Sequence, residues 1–257
     1  MENLSRYISH KKGSIPLILS VPHGGEEFYK EIPTRSSGIL GVDKNTILLA
    51  QELIEYIQNA YRERNHQIEK PSLIYCNITR SKIDLNRPIE KAFDQSSLLA
   101  KKIYQFYHDT LRKYINYNIE TFNRSLMLDI HGFETKSRPK GFRDVDIIIG
   151  TDNLKSLYGK VLKKKDWSKN IRGEIVKKFL ELEIPIAPGH QRRREYVLSG
   201  GYITKKYGAS NIKNSQTIQI EFSDRIRIYN ENLKTLVLKS LAEIIFKEFH
   251  SINLFHD

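Results

Sequence analysis

The chain has 257 residues, with 42 Lys and Arg against 30 Asp and Glu, a formal net charge of +12. Its 39% hydrophobic and 28% charged content is that of an ordinary globular protein and excludes a disordered chain. The lone Cys76 excludes an intramolecular disulfide, a cysteine-based zinc cluster and a CxxC redox pair. No apolar run approaches the ~18 residues of a membrane span, and the opening MENLSRYISHKK lacks the apolar centre of a secretory signal. A cytoplasmic location without a membrane partner is the expectation.

In chain order, Pro16–Val21 reads as a buried strand, followed by a loop rich in Gly, Pro and Ser up to Gly41. Asp43, a plausible N-cap, opens a helical pattern through Asn59, with Ile47, Leu48, Leu53 and Ile57 suited to one face. Ser72–Ile78 is the next strand, Ser97–Tyr117 a long helix and Ser125–Ile130 a strand. Val145–Gly150 follows as a strand, with two shorter helical segments between Asn153 and Leu182. Ile184–Ala187 and Thr217–Phe222 are further strands, and Leu233–Phe249 is a closing helix. Strands alternating with helices predict an α/β fold in one domain, 1–257, with a mixed, largely parallel sheet covered on both faces. Chemistry in such sheets gathers beyond the carboxyl ends of the strands.

The first strand ends in Val21-Pro22-His23-Gly24-Gly25-Glu26, where two glycines leave room around the histidine. The H-x-x-E spacing can bring imidazole and carboxylate to one ion, although a tight turn explains it equally. Asp129-Ile130-His131-Gly132 ends another strand, and Asp129 and His131, two apart, point to one side. This suits a metal ligand with an acidic neighbour that orients it. In Thr217–Phe222, Thr217, Gln219 and Glu221 share one face. A solvent-facing edge strand accounts for that pattern, but Glu221 at its end could also serve as a general base. Arg80, Asp84, Asn86 and Arg87 crowd one loop, and the planar fork of Arg is the natural grip for a carboxylate.

Half of the net charge lies in Lys160–Lys178, where eight Lys or Arg face only Asp166 and Glu174; Arg192, Arg193 and Arg194 follow. A solvated helix face and a basic loop account for this, with an anionic small substrate or nucleic-acid phosphates as functional alternatives. No aromatic ladder or RNP pattern accompanies the charge, so nucleic acid is a runner-up.

Taken together, PHGG at 22–25, R-x-x-x-D-L-N-R at 80–87, D-I-H-G at 129–132, G-G-Y-I-T-x-x-Y-G at 200–208 and I-Q-I-E at 218–221 resemble the N-formylglutamate amidohydrolases, motif by motif and in order. The family's site is similar to those of zinc carboxypeptidases and aspartoacylase-type deacylases. The resemblance implies a three-layer α/β/α fold of phosphorylase/hydrolase type and hydrolysis of an amide on an acidic amino acid, dependent on Zn²⁺ or another divalent metal. It implies His23 and His131 as metal ligands with Asp43 as the intervening carboxylate, whereas carboxypeptidase-like spacing nominates Glu26; both stay open. Arg80 would stabilise the oxyanion, Asn86 and Arg87 would bind the substrate carboxylate, and Gly200, Gly201 and Tyr202 would shape the substrate pocket. Glu221 would be the base that activates metal-bound water. The implied partner is a small anionic N-acyl amino acid such as N-formylglutamate. A carboxypeptidase or another deacylase with the same site is one alternative; a nucleic-acid or acidic-partner binder with a vestigial site is another. The chain departs from the family at Val197-Leu198-Ser199, where many members carry a basic pair before the Gly-Gly, which leaves the acyl group and amino acid open.

Overall fold

A computed structural model describes residues 4–65, 68–137 and 143–250. Its strands are β1 (Ile8–Lys11), β2 (Leu17–Val21), β3 (Ser72–Cys76), β4 (Ser125–Phe133), β5 (Ile147–Gly150), β6 (Ile186–Ala187) and β7 (Ser215–Ser223). Its helices are α1 (Thr46–Asn65), α2 (Ile89–Ala92), α3 (Leu98–Phe122), α4 (Ile171–Glu181), α5 (Tyr202–Tyr207) and α6 (Glu231–His250). The strands form one sheet in the order β1-β3-β2-β4-β7-β5-β6. Its middle, β3-β2-β4-β7, is parallel; β1 is antiparallel to β3, and β5 is antiparallel to β7 with β6 parallel beside it.

Side-chain alternation divides the sheet into two buried faces. Leu17, Leu19, Leu128, Ile147 and Ile220 pack with residues of α1, α4 and α6 on one face. Ile18, Ile74 and Met127 pack with α3 and α5 on the other. The α/β/α layering and the mixed, largely parallel sheet are therefore as expected from the sequence.

Local sequence explains most boundaries. Ser97 caps α3 by accepting the Ala100 N–H at 3.1 Å, and Asn123 ends it in the left-handed conformation that Asn tolerates (φ 56°). Three details differ from the sequence reading. Helix α1 begins at Thr46, and its buried stripe is Leu49, Leu53 and Ile57 at four-residue spacing, which leaves Leu48 50% exposed. Between Asn153 and Leu182 there is one α-helix, α4, preceded only by a 3₁₀ turn at Lys164–Asp166. Here Asp152, Asn153 and Leu154 turn the chain with positive φ (49°, 52° and 74°), which stops a helix from starting. Finally, β7 is an interior strand flanked by β4 and β5, so its polar face looks into the site rather than into solvent.

Arg172, counted in the sequence as part of a solvated basic stretch, is fully buried. Its Nε donates to Glu195 Oε1 at 2.9 Å, and Nη1 and Nη2 donate to the carbonyls of Gln191 and Arg193. Glu195 also accepts the N–H groups of Thr151 and Asn153, both at 2.8 Å. This ion pair ties α4 and the end of β5 to the loop that leads into Gly200.

Candidate active site

Parallel strands β2 and β4 end side by side, and each delivers one histidine to the crevice on the α3/α5 face. His23 Nδ1 and His131 Nδ1 lie 3.2 Å apart. Asp43 Oδ2 stands 3.1 Å from His131 Nδ1 and 3.6 Å from His23 Nδ1. His23, Asp43 and His131 are buried and their ligand atoms lie within 4.8 Å of one another.

The outer nitrogen of each ring is held by its own carboxylate. His23 Nε2 donates to Asp84 Oδ1 at 2.7 Å, and His131 Nε2 donates to Asp129 Oδ2 at 3.0 Å. These bonds fix both tautomers so that the Nδ1 lone pairs face each other and Asp43. Asp129 is fixed in turn by Ser20 Oγ at 2.8 Å, which meets the Tyr107 hydroxyl at 2.9 Å. Two imidazole lone pairs and a carboxylate oxygen converging on one point need a positive charge between them. Burial opposes charging His131, yet Asp129 and Asp43 outweigh burial and hold its pKa well above the ordinary value. Burial likewise works to raise the Asp43 and Asp84 carboxyls, but His131 and His23 hold Asp43, and His23 with Arg80 and Arg35 holds Asp84, well below the usual range. The donor set N₂O, open on one side and braced behind, fits a divalent cation such as Zn²⁺.

Asp43 reaches the cluster because its loop returns onto His23: the Asp43 N–H donates to the His23 carbonyl at 3.0 Å. Its expected capping role falls elsewhere, since Thr46 bonds the Asp43 carbonyl and the carboxylate turns inward. Glu26, nominated by its spacing from His23, is exposed and outside the cluster. The reason lies in the two glycines. A Cβ on Gly25 would lie 2.2 Å from the Asn77 carbonyl carbon, and one on Gly24 would lie 2.5 Å from Thr46 Oγ1. The glycines serve close packing rather than open space, and Glu27 then bridges to Ile78, which carries Glu26 outward.

The cluster forms the floor of a cavity of about 770 Å³. Arg80, Asn86, Arg87, Gly200, Gly201 and Tyr202 all line it, as does Glu221. Arg80 Nε donates to Asp84 Oδ2 at 3.1 Å, with Nη1 3.7 Å from Asp43 Oδ1. Arg87 meets Asp84 at 3.5 Å through Nε and keeps a side chain 44% exposed at the rim. Asn86 is engaged internally: Oδ1 accepts the Ile203 N–H at 2.7 Å and Nδ2 touches His131 Nε2 at 3.2 Å. Its amide oxygen thus seats α5. Glu221 is paired in sheet register with His131 and receives the Gln219 amide at 2.8 Å. Burial raises its pKa, opposed by the charge on His131 and reinforced by Asp43.

The sequence places Asp84 in the arginine-rich loop without indicating its partner, and it gives no sign of the part played by Ser20 or Tyr107. Buried polar residues facing a strand-end histidine are a signal for such braces, but their pairing depends on which strands are neighbours.

The sequence matches no family model and no curated protein. The structure is similar to that of a gene product from Agrobacterium tumefaciens, with a TM-score of 0.65 at 16% identity, covering 98% of this chain and 98% of that chain. It is also similar to the crystal structure of N-formylglutamate amidohydrolase from Ralstonia eutropha JMP134, with a TM-score of 0.64 at 13% identity, covering 96% of this chain and 99% of that chain. The polypeptide follows the latter almost from end to end, and the protein has the fold of an N-formylglutamate amidohydrolase.

Proposed function

We propose that the protein is a metal-dependent hydrolase that cleaves the amide bond of a small N-acyl amino acid, with N-formylglutamate as one candidate. The observation that carries this reading is the convergence of His23, His131 and Asp43 beneath a cavity also lined by Arg80, Arg87 and Glu221. His23, His131 and Asp43 would hold the ion, and Glu26 would take no part. A bound Zn²⁺ or similar cation supplies Lewis acidity, which brings the pKa of water to roughly 7 and polarises a carbonyl.

The remaining work belongs to side chains. Glu221, made more basic by burial, takes a proton from the attacking water and returns it to the departing nitrogen. Arg80, directed at the cluster by Asp84, shares the negative charge that develops on the acyl oxygen. Arg87, anchored through Nε, offers its outer nitrogens to the substrate carboxylate. Gly201 and Tyr202 form the wall that Asn86 seats.

Elemental analysis of the purified protein tests this reading. A stoichiometric divalent metal is expected in the wild type and is lost in His23→Ala and His131→Ala, together with hydrolysis of N-acyl amino acids. A wild type that takes up no metal on reconstitution removes the proposal.

The braces make a separate prediction. Asp129→Asn keeps the side-chain volume but exchanges a charged acceptor for an amide at His131 Nε2. Metal affinity, measured by competition with a chelator, should fall about 10–100-fold. Unchanged affinity would show that Asp129 serves the fold alone.

A further inference from the structure

The cavity is not uniform around the cluster, and strand order explains the difference. Residues directly paired in adjacent strands point to the same face. His131 on β4, Glu221 on β7, Ile148 on β5 and Ala187 on β6 therefore form one cross-strand row. Beyond Glu221 this row becomes apolar. Ile148 and Ala187 belong to a small hydrophobic cluster with Val145, and Phe133 and Leu198 pack against it. Phe133 and Leu198 also line the cavity.

The opposite flank is cationic. Among the described lining residues the cations are Arg80, Arg87 and Lys205. Arg80 and Arg87 follow β3 and make this flank, whereas Lys205 sits on α5, which is bonded both to their loop, through Asn86 and Ile203, and to β7, through Gly201 and Gln219. On the apolar flank the charge of Glu134 is met by Arg227 at 3.1 Å.

We infer that the acyl half of the substrate is an extended apolar group, larger than formyl, that lies against Leu198 and Phe133 while Arg87 holds the carboxylate of the amino acid half. This rests on the amidohydrolase reading. In an N-acyl amino acid the carboxylate and the acyl chain leave the scissile amide on opposite sides. With the carboxylate at Arg87, the acyl chain points past Glu221 to the apolar wall. Water adds across the amide: its oxygen bonds to the acyl carbon, the C–N bond breaks, and a proton passes through Glu221 to the leaving amine. The products are an apolar carboxylic acid and a free amino acid. A formyl group would leave most of that wall in contact with water.

The test is kcat/KM for N-formyl, N-acetyl, N-butyryl and N-hexanoyl derivatives of both L-alanine and L-glutamate, using the metal-loaded wild type. Burial of each added methylene should raise kcat/KM about fourfold, or about two orders of magnitude from acetyl to hexanoyl. Leucyl-alanine, which places similar bulk beside an ammonium group, distinguishes a dipeptide from a fatty-acyl source; either one exceeding the formyl compound supports the apolar subsite. Leu198→Arg should flatten the chain-length gradient and favour N-succinyl over N-hexanoyl. Formyl or acetyl compounds turned over as well as hexanoyl overturn the inference and leave the hydrolase intact. An unchanged gradient in Leu198→Arg overturns the assignment of the wall. Turnover of no compound removes the amidohydrolase reading, and the inference with it.

Discussion

Glu221→Gln should retain the metal and lower kcat by about 10²–10⁴-fold with little change in KM. The substitution preserves length and shape in an interior strand, where β4 and β7 pair from Ser125–Ser215 to Phe133–Ser223. The oxygen of a glutamine can still accept the Gln219 amide that now reaches Glu221 at 2.8 Å. What it loses is the capacity to take a proton. Burial raises the Glu221 pKa against the opposing charge of His131, so the carboxylate is a stronger base than an exposed one. Steady-state kinetics and metal content on one preparation decide the matter, because lost metal would implicate the fold of the site. Near-normal turnover with full metal would take Glu221 out of the reaction.

The largest effect on stability should come from Arg172→Ala. Removing the guanidinium leaves Glu195 as a buried carboxylate without its counter-charge and strips the donors from two carbonyls. Breaking a buried pair in this way costs about 3–5 kcal/mol. Because Thr151 and Asn153 still donate to Glu195, the lower end is expected, about 3 kcal/mol. At about 2–4 °C per kcal/mol for a protein of this size, Tm falls by about 6–12 °C. A double replacement, Arg172→Met with Glu195→Leu, should recover most of the loss, since neither charge is then stranded. A Tm shift of less than about 2 °C in Arg172→Ala would show that the pair contributes little.

The basic stretch also shows how charge on paper differs from charge in space. Arg172 points into the core, and Lys169 and Lys177 lie against Asp166 and Glu181 at 3.4 and 4.0 Å. The binder alternative drawn from these residues thus loses one of its eight cations to the interior, and two others have acidic neighbours on the surface.

Much of this protein was legible in the chain itself. Short apolar runs bounded by Gly and Pro mark buried strands, and a histidine directly after such a run must emerge at the sheet's carboxyl edge. His23, His131 and Glu221 could therefore be placed from local sequence, because period and strand direction are local properties. The edge strand β1 was missed for the complementary reason: Ile8-Ser9-His10-Lys11 buries too little to carry a pattern.

Only tertiary structure decided which groups meet. Asp43 and Glu26 are equally good candidates by composition, and which of them joins the His23–His131 cluster turns on Gly25 packing against the backbone at Asn77, a contact no local window contains. Asp84 and Asp129 could become braces only once β2, β3 and β4 were neighbours, and Arg172 became core only when Glu195 arrived beside it. The apolar flank depends on β5 and β6 extending the sheet beyond β7, which places Ile148 against Glu221. Short-range patterning sets which face and which end of a strand a residue occupies; the neighbours it meets there are set by long-range packing, where burial and charge pairing select among sequence-equivalent candidates.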